Sequence, residues 1–248
     1  MIRPGRPGAA LRADRLPTDL DDLRAVIESC RACPRLTRYR ERLAREGLAR
    51  TGVPHWGRPV AGFGDPGALL AVVGLAPAAQ GANRTGRVFT GDRSATFLMA
   101  ALHRAGFASH PDSVSRDDGL RLRGAYITAA VRCVPPGNHP SPAEARRCRP
   151  YLVAELRGLP RLRAVLALGG FAWDNVRRAA GDAYGVAVPR RPFHHGERVP
   201  LGPGAPVLWA GYHPSPRNTQ TGLLSAGMFD SLLARIRVDL EIPSGRGA

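Results

Sequence analysis

Four short apolar segments, separated by stretches with helical periodicity, constrain the fold more than any other feature of this sequence. They cover residues 68–74, 125–131, 164–168 and 207–211. Continuous apolar runs of this length are typical of strands that are buried on both faces, as in a parallel sheet. Because helical segments lie between them, the sequence predicts a three-layer α/β/α sandwich with a central, mainly parallel four-stranded sheet.

The rest of the chain divides into one domain and two loose ends. Helical patterns cover about 18–29, 36–46, 93–105, 141–156, 171–179 and 225–238. Residues 1–17, rich in Arg, Pro and Gly, are predicted to form a disordered basic tail, 18–240 a single domain and 241–248 a frayed C-terminus. Without a signal peptide or an apolar run long enough to span a membrane, the chain is expected to be cytoplasmic.

The connection after the first predicted strand has the composition of a ligand-binding loop. Residues 74–92 read GLAPAAQGANRTGRVFTGD and contain four glycines. Glycines allow a backbone to approach a ligand closely, and open α/β sheets form their sites at the carboxyl ends of strands. An ordinary βα connection is the alternative, but a loop this long inside a compact domain is usually functional.

The charge of the chain indicates a polyanionic partner. Its 36 basic and 20 acidic residues give a formal net charge of +16, which attracts nucleic acid first. Every basic residue is an arginine. The absence of lysine disfavours a nucleoside-triphosphatase phosphate loop, which ends in Gly-Lys, and it removes the side-chain amine that a Schiff base needs. The remaining amine, at the N-terminus, falls in the predicted tail.

The four cysteines predict a metal site. Cys30 and Cys33 form a CxxC pair, and Cys133 and Cys148 lie far along the chain. In a chain without an export signal this pattern indicates a metal rather than disulfides, and four buried thiols are the weaker alternative. The spacing suits both structural zinc and a [4Fe–4S] cluster. The adjacent His194 and His195 are interpreted as a surface loop, because neighbouring residues seldom share a metal.

A second motif, GYHPSPRN at residues 211–218, directly follows the fourth predicted strand. A lone histidine such as His213 is more often structural than functional. At the end of a strand, however, it can donate a hydrogen bond to charge that develops in a substrate. Ser215, Arg217 and Asn218 have side chains that suit contacts with phosphates or grooves of nucleic acid.

These motifs together carry a family resemblance. Residues 74–92 resemble the first motif of the family 5 (type b) uracil-DNA glycosylases, and 211–218 resemble the His-Pro-Ser element of the whole superfamily. The four cysteines are similar to the iron–sulfur ligands of families 4 and 5. The resemblance covers roughly residues 20–240, with the three matches in the expected order, and it favours a [4Fe–4S] cluster on Cys30, Cys33, Cys133 and Cys148 over zinc.

The resemblance implies roles for individual residues. Phe89 stands where the superfamily carries the aromatic ring that stacks on a base flipped out of the duplex. His213 is then the hydrogen-bond donor to the base, and Asn83 is the nearest polar candidate to orient water. The wider set is base-binding Gly74, Ala76 and Ala129, and DNA-binding Ser215, Arg217, Asn218, Arg84 and Arg87.

Two departures from related patterns bear on the chemistry. The segment 74–79 reads GLAPAA and has no carboxylate to position water, which is the family 5 pattern. Hydrolysis would then follow a dissociative route in which water arrives late. Related enzymes often carry an asparagine four residues before the third cysteine, where this chain has Ala129. A pocket without that amide should discriminate poorly between bases.

The resemblance therefore implies a monofunctional DNA glycosylase that starts base-excision repair. It would act as a monomer on double- and single-stranded DNA in the nucleoid, and it would remove uracil together with other deaminated bases such as hypoxanthine and xanthine. The alternative is a DNA-binding protein without enzymatic activity that carries an iron–sulfur cluster or zinc.

Overall fold

The structure, a computed structural model, describes residues 11–241 of the chain. The helices are α1 (Leu20–Glu28), α2 (Pro34–Thr51), α3 (Ala82–Thr85), α4 (Arg93–Arg104), α5 (Pro142–Arg157), α6 (Gly170–Tyr184), α7 (Pro216–Gln220) and α8 (Ala226–Glu241). The strands are β1 (Phe63–Gly64), β2 (Leu70–Gly74), β3 (Ala125–Ala129), β4 (Ala164–Leu168), β5 (Arg198–Pro200) and β6 (Val207–Gly211). Short 3-10 turns lie at Ala13–Arg15 and Pro136–Asn138.

The sheet contains the four predicted strands and two more. Its order is β1-β3-β2-β4-β6-β5, and the central strands β3, β2, β4 and β6 are parallel. The edge strands β1 and β5 pair antiparallel with β3 and β6. The prediction of four strands is thus corrected to six. The added strands are only two and three residues long, too short for a hydrophobic pattern, and Pro200 suits an edge because it lacks an N–H.

Helices cover both faces of the sheet, which confirms the predicted α/β/α sandwich. One core lies between the sheet and helices α4 and α8, and it includes Val72, Ile127, Leu166, Trp209, Leu98, Met99, Phe229 and Leu232. The other lies against α5 and α6 and includes Val73, Val165, Ala167, Leu208, Leu152 and Trp173. Alternate residues of each central strand enter opposite cores, so the parallel strands are apolar throughout, as their sequences indicated.

The strand order changes direction at the centre of the sheet. The chain leaves β2 towards β3 on one side and then crosses back to β4 on the other. The register aligns Gly74 with Ala129 and Leu168 with Gly211, so the segments after all four strands emerge at the same edge of the sheet. Ligands bind at such topological switch points in open α/β sheets.

The helix ends follow local capping chemistry. The first helix, predicted from Thr18, begins at Leu20 because the Asp19 side chain accepts two N–H groups of the first turn, each at 3.0 Å. The predicted capping box of α5 is present, with Glu144 N donating to Ser141 Oγ at 3.2 Å and Ser141 N donating to Glu144 Oε2 at 2.8 Å. Helix α2 is longer than predicted and ends at Thr51, and the residue that caps it, Gly52, has a φ of 70° that suits glycine.

The predicted tail falls partly outside the described residues. Residues 1–10 and 242–248 are not described, and so most of both predicted loose ends lie beyond the structure. Within 11–17, the partly buried Leu11 and Leu16 pack against a third apolar cluster formed by α1, the start of α2 and α5. None of the helices described between residues 11 and 241 is long and apolar enough to cross a membrane.

Candidate active site and cysteine cluster

Three elements of the sequence motifs meet at the carboxyl edge of the sheet. The Phe89 ring lies directly over Gly74, where an added Cβ would be only 2.8 Å from Phe89 Cε2. The rings of Phe89 and His213 have centroids 5.8 Å apart and planes tilted by 31°. Gly169, at the end of β4, lies beside His213 and has a φ of 88°. The structure therefore brings the predicted stacking ring and the predicted donor into one site.

Phe89 has a strained backbone. Its φ is 46°, and among the described non-glycine residues only Asn138 shares a positive φ. Such a conformation costs a bulky residue about 1–3 kcal/mol and persists where neighbouring contacts enforce it. Those contacts include Gly91 N donating to Ser113 O at 2.8 Å and the hydroxyls of Thr90 and Ser113, 2.7 Å apart. The loop is built to hold the ring in one place.

His213 is fixed through its backbone and is neutral at ordinary pH. Its carbonyl accepts hydrogen bonds from Asn218 Nδ2 and Ser215 N, both at 2.8 Å. Burial lowers the pKa of the imidazole to about 4, because a charged ring would lose its hydration there. A neutral imidazole keeps one N–H to donate and adds no positive charge to the site before a reaction starts.

The three residues after His213 that are predicted to contact DNA differ in their exposure and their hydrogen bonds. Ser215 caps α7, and its Oγ accepts a 3.4 Å hydrogen bond from Asn218 N. The side-chain amide of Asn218 donates to the carbonyl of His213, and this hydrogen bond holds the loop in position. Arg217 is exposed and is the member of this group whose side chain faces solvent most fully.

The two arginines of the glycine-rich loop hydrogen bond within it or to its neighbours, and the predicted contact with DNA stays a prediction for the half-exposed Arg84. Arg84 donates to Gln80 O at 2.9 Å and to Gly91 O at 3.0 Å, which closes the loop on itself. Arg87 is only 7% exposed and donates to Asp118 at 2.7 Å and to Ser113 at 2.8 Å. It therefore anchors the loop and is withdrawn from solvent.

The carboxyl group of Asp118, which pairs with Arg87, loses its proton readily. Burial alone would raise the pKa of Asp118. The ion pair with Arg87 and the N–H groups of Leu120, Val114 and Ser115 outweigh burial and hold the pKa well below its usual range. This pair was not predictable from the sequence, because its partners are 31 residues apart.

Asn83 lies on α3, buried against α2. Its Nδ2 donates to Arg40 O at 3.4 Å, and its Oδ1 is buried with no hydrogen-bond partner within residues 11–241. Ala129 ends β3 beside Gly74, whereas Ala76 packs on the apolar cluster that surrounds the cysteines. The described contacts link Asn83 to α2 and do not link it to Phe89 or His213.

The four cysteines line a single cavity. Cys30 follows α1, Cys33 precedes α2, Cys133 follows β3, and Cys148 lies in α5. The cavity among them and their neighbours is small, with about 20 Å³ of space that a water molecule could occupy. In the described part of the chain no three His, Cys, Asp or Glu side chains form a group that could hold a metal ion. Four thiols around one cavity are nevertheless a donor set that suits a [4Fe–4S] cluster or zinc.

Hydrogen bonds to sulfur strengthen this fit. Arg40 Nη1 donates to Cys133 Sγ at 3.1 Å, and Arg132 N donates to Cys148 Sγ at 3.3 Å. Burial raises the pKa of the Cys133 thiol to about 11 and raises that of Cys148 further, so a metal would be needed to make them thiolates. Arg40 was not predicted from sequence, and nothing in its spacing from Cys133 marks it.

Comparisons with known proteins agree with the geometry. A family model described as "Uracil DNA glycosylase superfamily" matches residues 61–237. The chain is 52% identical over 213 residues to a type-5 uracil-DNA glycosylase of Mycobacterium bovis, covering 85% of this chain and 78% of that protein. It is 48% identical over 208 residues to the Thermus thermophilus type-5 enzyme, covering 84% and 92%. Similarity to a type-4 uracil-DNA glycosylase of Pyrobaculum aerophilum is lower, 32% over 153 residues, or 61% of each chain.

Proposed function

The chain belongs to the uracil DNA glycosylase superfamily, and we propose that it is a monofunctional glycosylase that removes uracil and other deaminated bases from DNA. The observation that carries this proposal is the placement of Phe89, Gly74 and His213 at one edge of the sheet. An enzyme that acts on a base must flip it out of the stack, and it then needs an aromatic face and a donor for the base edge. The three residues supply these elements.

The mechanism follows from the chemistry of the leaving base. The flipped base stacks on Phe89, and the absence of a side chain at Gly74 leaves room for that ring. As the N-glycosidic bond breaks, both electrons leave with the base, and negative charge collects on its carbonyl oxygen. The neutral imidazole of His213 donates its N–H to this oxygen, so the interaction strengthens as the reaction proceeds.

Water completes the reaction with little help from the protein. The sugar is left as an oxocarbenium-like cation, and water adds to it and loses a proton. No carboxylate stands in the segment 74–79. Asn83 is the proposed water-orienting group, since its Oδ1 has no partner among the described residues and could accept a hydrogen bond from water. Because the cation is already reactive, this contribution is small.

The base range follows from what the pocket lacks. Ala129 offers no amide to test the hydrogen-bonding edge of uracil, and a pocket without such a group cannot reject related bases strongly. We therefore expect hypoxanthine and xanthine to be substrates as well. Exposed Arg217 and the net charge of +16 support binding to the backbone of double- or single-stranded DNA by one copy of the chain.

The four cysteines are the proposed ligands of a [4Fe–4S] cluster. When bound, the cluster would link the junction of α1 and α2 to the segment after β3 and to α5, which supplies folding energy in a region that has a small apolar core. Arg40 and the Arg132 backbone would then donate hydrogen bonds to cluster sulfurs.

A cleavage assay tests the function directly. Duplex DNA with a single uracil should be converted to an intact abasic strand that breaks only after alkali, and the same duplex with thymine should stay whole. The strand should not break by itself, since the chain has no lysine for a Schiff base. An adduct trapped by borohydride would contradict the monofunctional mechanism. Tight binding to uracil-containing DNA without base release would favour the alternative of a DNA-binding protein without enzymatic activity.

The cluster proposal has its own measurement. Purified protein made with ample iron should be brown and contain about four iron atoms per chain, as expected for a [4Fe–4S] centre. Replacement of Cys148 with alanine should reduce both the iron content and the resistance to unfolding. Colourless protein with one zinc per chain, made under the same conditions, would refute the cluster.

A further inference from the structure

His195 contacts the chain immediately before His213. Its Nδ1 accepts a hydrogen bond from the backbone N–H of Tyr212 at 3.1 Å. The two rings also stack, with centroids 4.9 Å apart and planes at 33°. The residue is half-buried, so the earlier interpretation of 194–195 as a surface loop holds only for the exposed His194.

The tautomer of the His195 ring follows from the contact with Tyr212. Since Nδ1 accepts from the Tyr212 N–H, the other nitrogen carries the proton. The backbone of Met228, near the start of α8, lies close enough to the ring to raise its pKa. Only the neutral ring with this tautomer can accept from Tyr212.

We propose that His195 is a positioning residue for His213: its neutral ring holds the Tyr212 backbone, and protonation of the ring releases it. This inference rests on the proposed function of His213. Tyr212 and His213 share a peptide bond, so a rotation at Tyr212 moves the imidazole that faces Phe89. Small displacements of a donor from its target cost much of its catalytic effect.

The groups around His195 favour the neutral ring. Burial lowers its pKa, the nearby backbone of Met228 raises it, and the charge of Arg235 on α8 lowers it. Arg235 also donates to Gly196 O at 3.4 Å, which keeps its charge close to the ring. From β6 the ring meets Tyr212, and Glu197 lies two residues along its own segment.

The direction of the pH effect follows from this lowered pKa. In the unfolded chain a histidine takes up a proton near pH 6.5. The folded protein binds that proton less readily, because the pKa of His195 is lowered there. The neutral ring therefore contributes its full stabilisation above pH 6.5, and this contribution is lost as the pH falls towards the folded pKa of His195. Excision should therefore decline on the acid side as the Tyr212 hydrogen bond is lost.

Two substitutions test whether the Tyr212 N–H needs an acceptor from residue 195. In His195→Asn the side-chain oxygen can take the place of Nδ1 and accept from Tyr212. In His195→Gln the longer side chain places its amide near the position of the second ring nitrogen and leaves the Tyr212 N–H without this acceptor. We expect His195→Asn to excise uracil within about threefold of wild type, and His195→Gln to be slower by about tenfold or more. His194→Asn is the matched control and should match wild type.

The pH dependence gives a readout that a purely structural role would not move. Single-turnover excision by wild type should fall as the pH drops below 6.5, and His195→Asn should lose that decline. In ¹⁵N spectra of the full-length wild-type protein, the Tyr212 amide should shift together with the His195 titration. Equal rates for His195→Gln and wild type, or a Tyr212 amide that ignores the titration, would overturn the proposal. Inactive wild type would refute the proposed function and leave the spectra to decide the His195 contact.

Discussion

Replacing His213 with alanine should slow single-turnover excision of uracil by about a hundredfold or more, as for other donors to developing negative charge. The imidazole meets the base oxygen most strongly when the bond is breaking, so its loss raises the barrier more than it weakens the ground-state complex. The DNA dissociation constant should change by less than about threefold, since His213 lies at the base and not at the phosphates. The measurement is the excision rate with enzyme in excess, beside a binding titration on the same DNA.

Two other variants serve as controls for His213→Ala. Arg217→Ala removes an exposed cation and should weaken DNA binding while leaving the rate in the saturated complex nearly unchanged. Asn83→Ala should slow excision less than His213→Ala, because late water needs little orientation. If His213→Ala excises uracil at the wild-type rate, or loses only affinity, then His213 is not the donor.

The pH dependence of this effect is set by the low pKa of His213. Burial holds that pKa at about 4, so the ring is neutral across pH 6.5 to 8.5. The ratio of wild-type to His213→Ala rates should therefore be constant over this range. A ratio that falls as the pH rises from 6.5 would show that the imidazolium is the active form, and the electrostatic part of the mechanism would be wrong.

The centre of the fold was predictable because its strands are apolar throughout. The segments 164–168 and 207–211 were predicted with the bounds that β4 and β6 have in the structure. The two edge strands escaped prediction for the opposite reason. They have two and three residues, and β5 alternates exposed and buried positions over too short a length to be recognised.

The candidate site was predictable where a motif carries the chemistry, and the predicted family is confirmed by the comparisons. Phe89 and His213 came from the two motifs, and the structure places their rings side by side. Contacts between distant residues were not predictable. The sequence does not distinguish Arg87, which is buried, from Arg217, which is exposed. The ion pair of Arg87 with Asp118, a residue distant in sequence, keeps the Arg87 side chain buried. His195 needed the position of Tyr212 for the same reason.

A fully buried ion pair lies between the cysteine cluster and the sheet. Arg132 and Glu155 have side chains that are each 1% exposed, and Arg132 Nη2 donates to Glu155 Oε2 at 2.6 Å. Glu155 also accepts from Thr128 at 2.7 Å, from Gly62 N at 3.1 Å and from the Tyr126 hydroxyl at 3.3 Å. This carboxylate joins α5, β3 and the segment before β1, and Arg132 reaches Cys148 through its backbone N–H.

Replacing Glu155 with glutamine should lower the free energy of unfolding by about 3–5 kcal/mol, because it leaves the charge of Arg132 buried without a partner. The measurement is the urea midpoint of wild type and variant at equal iron content. Asp230→Ala is the matched control. It breaks the exposed Arg104–Asp230 pair, whose side chains are 47% and 39% exposed, and should cost less than about 1 kcal/mol. If Glu155→Gln does not fold, Tyr126→Phe removes a single contact to the same carboxylate and should cost about 1 kcal/mol. Equal urea midpoints for Glu155→Gln and Asp230→Ala would mean that the charge of Arg132 does not depend on Glu155 for its stabilisation.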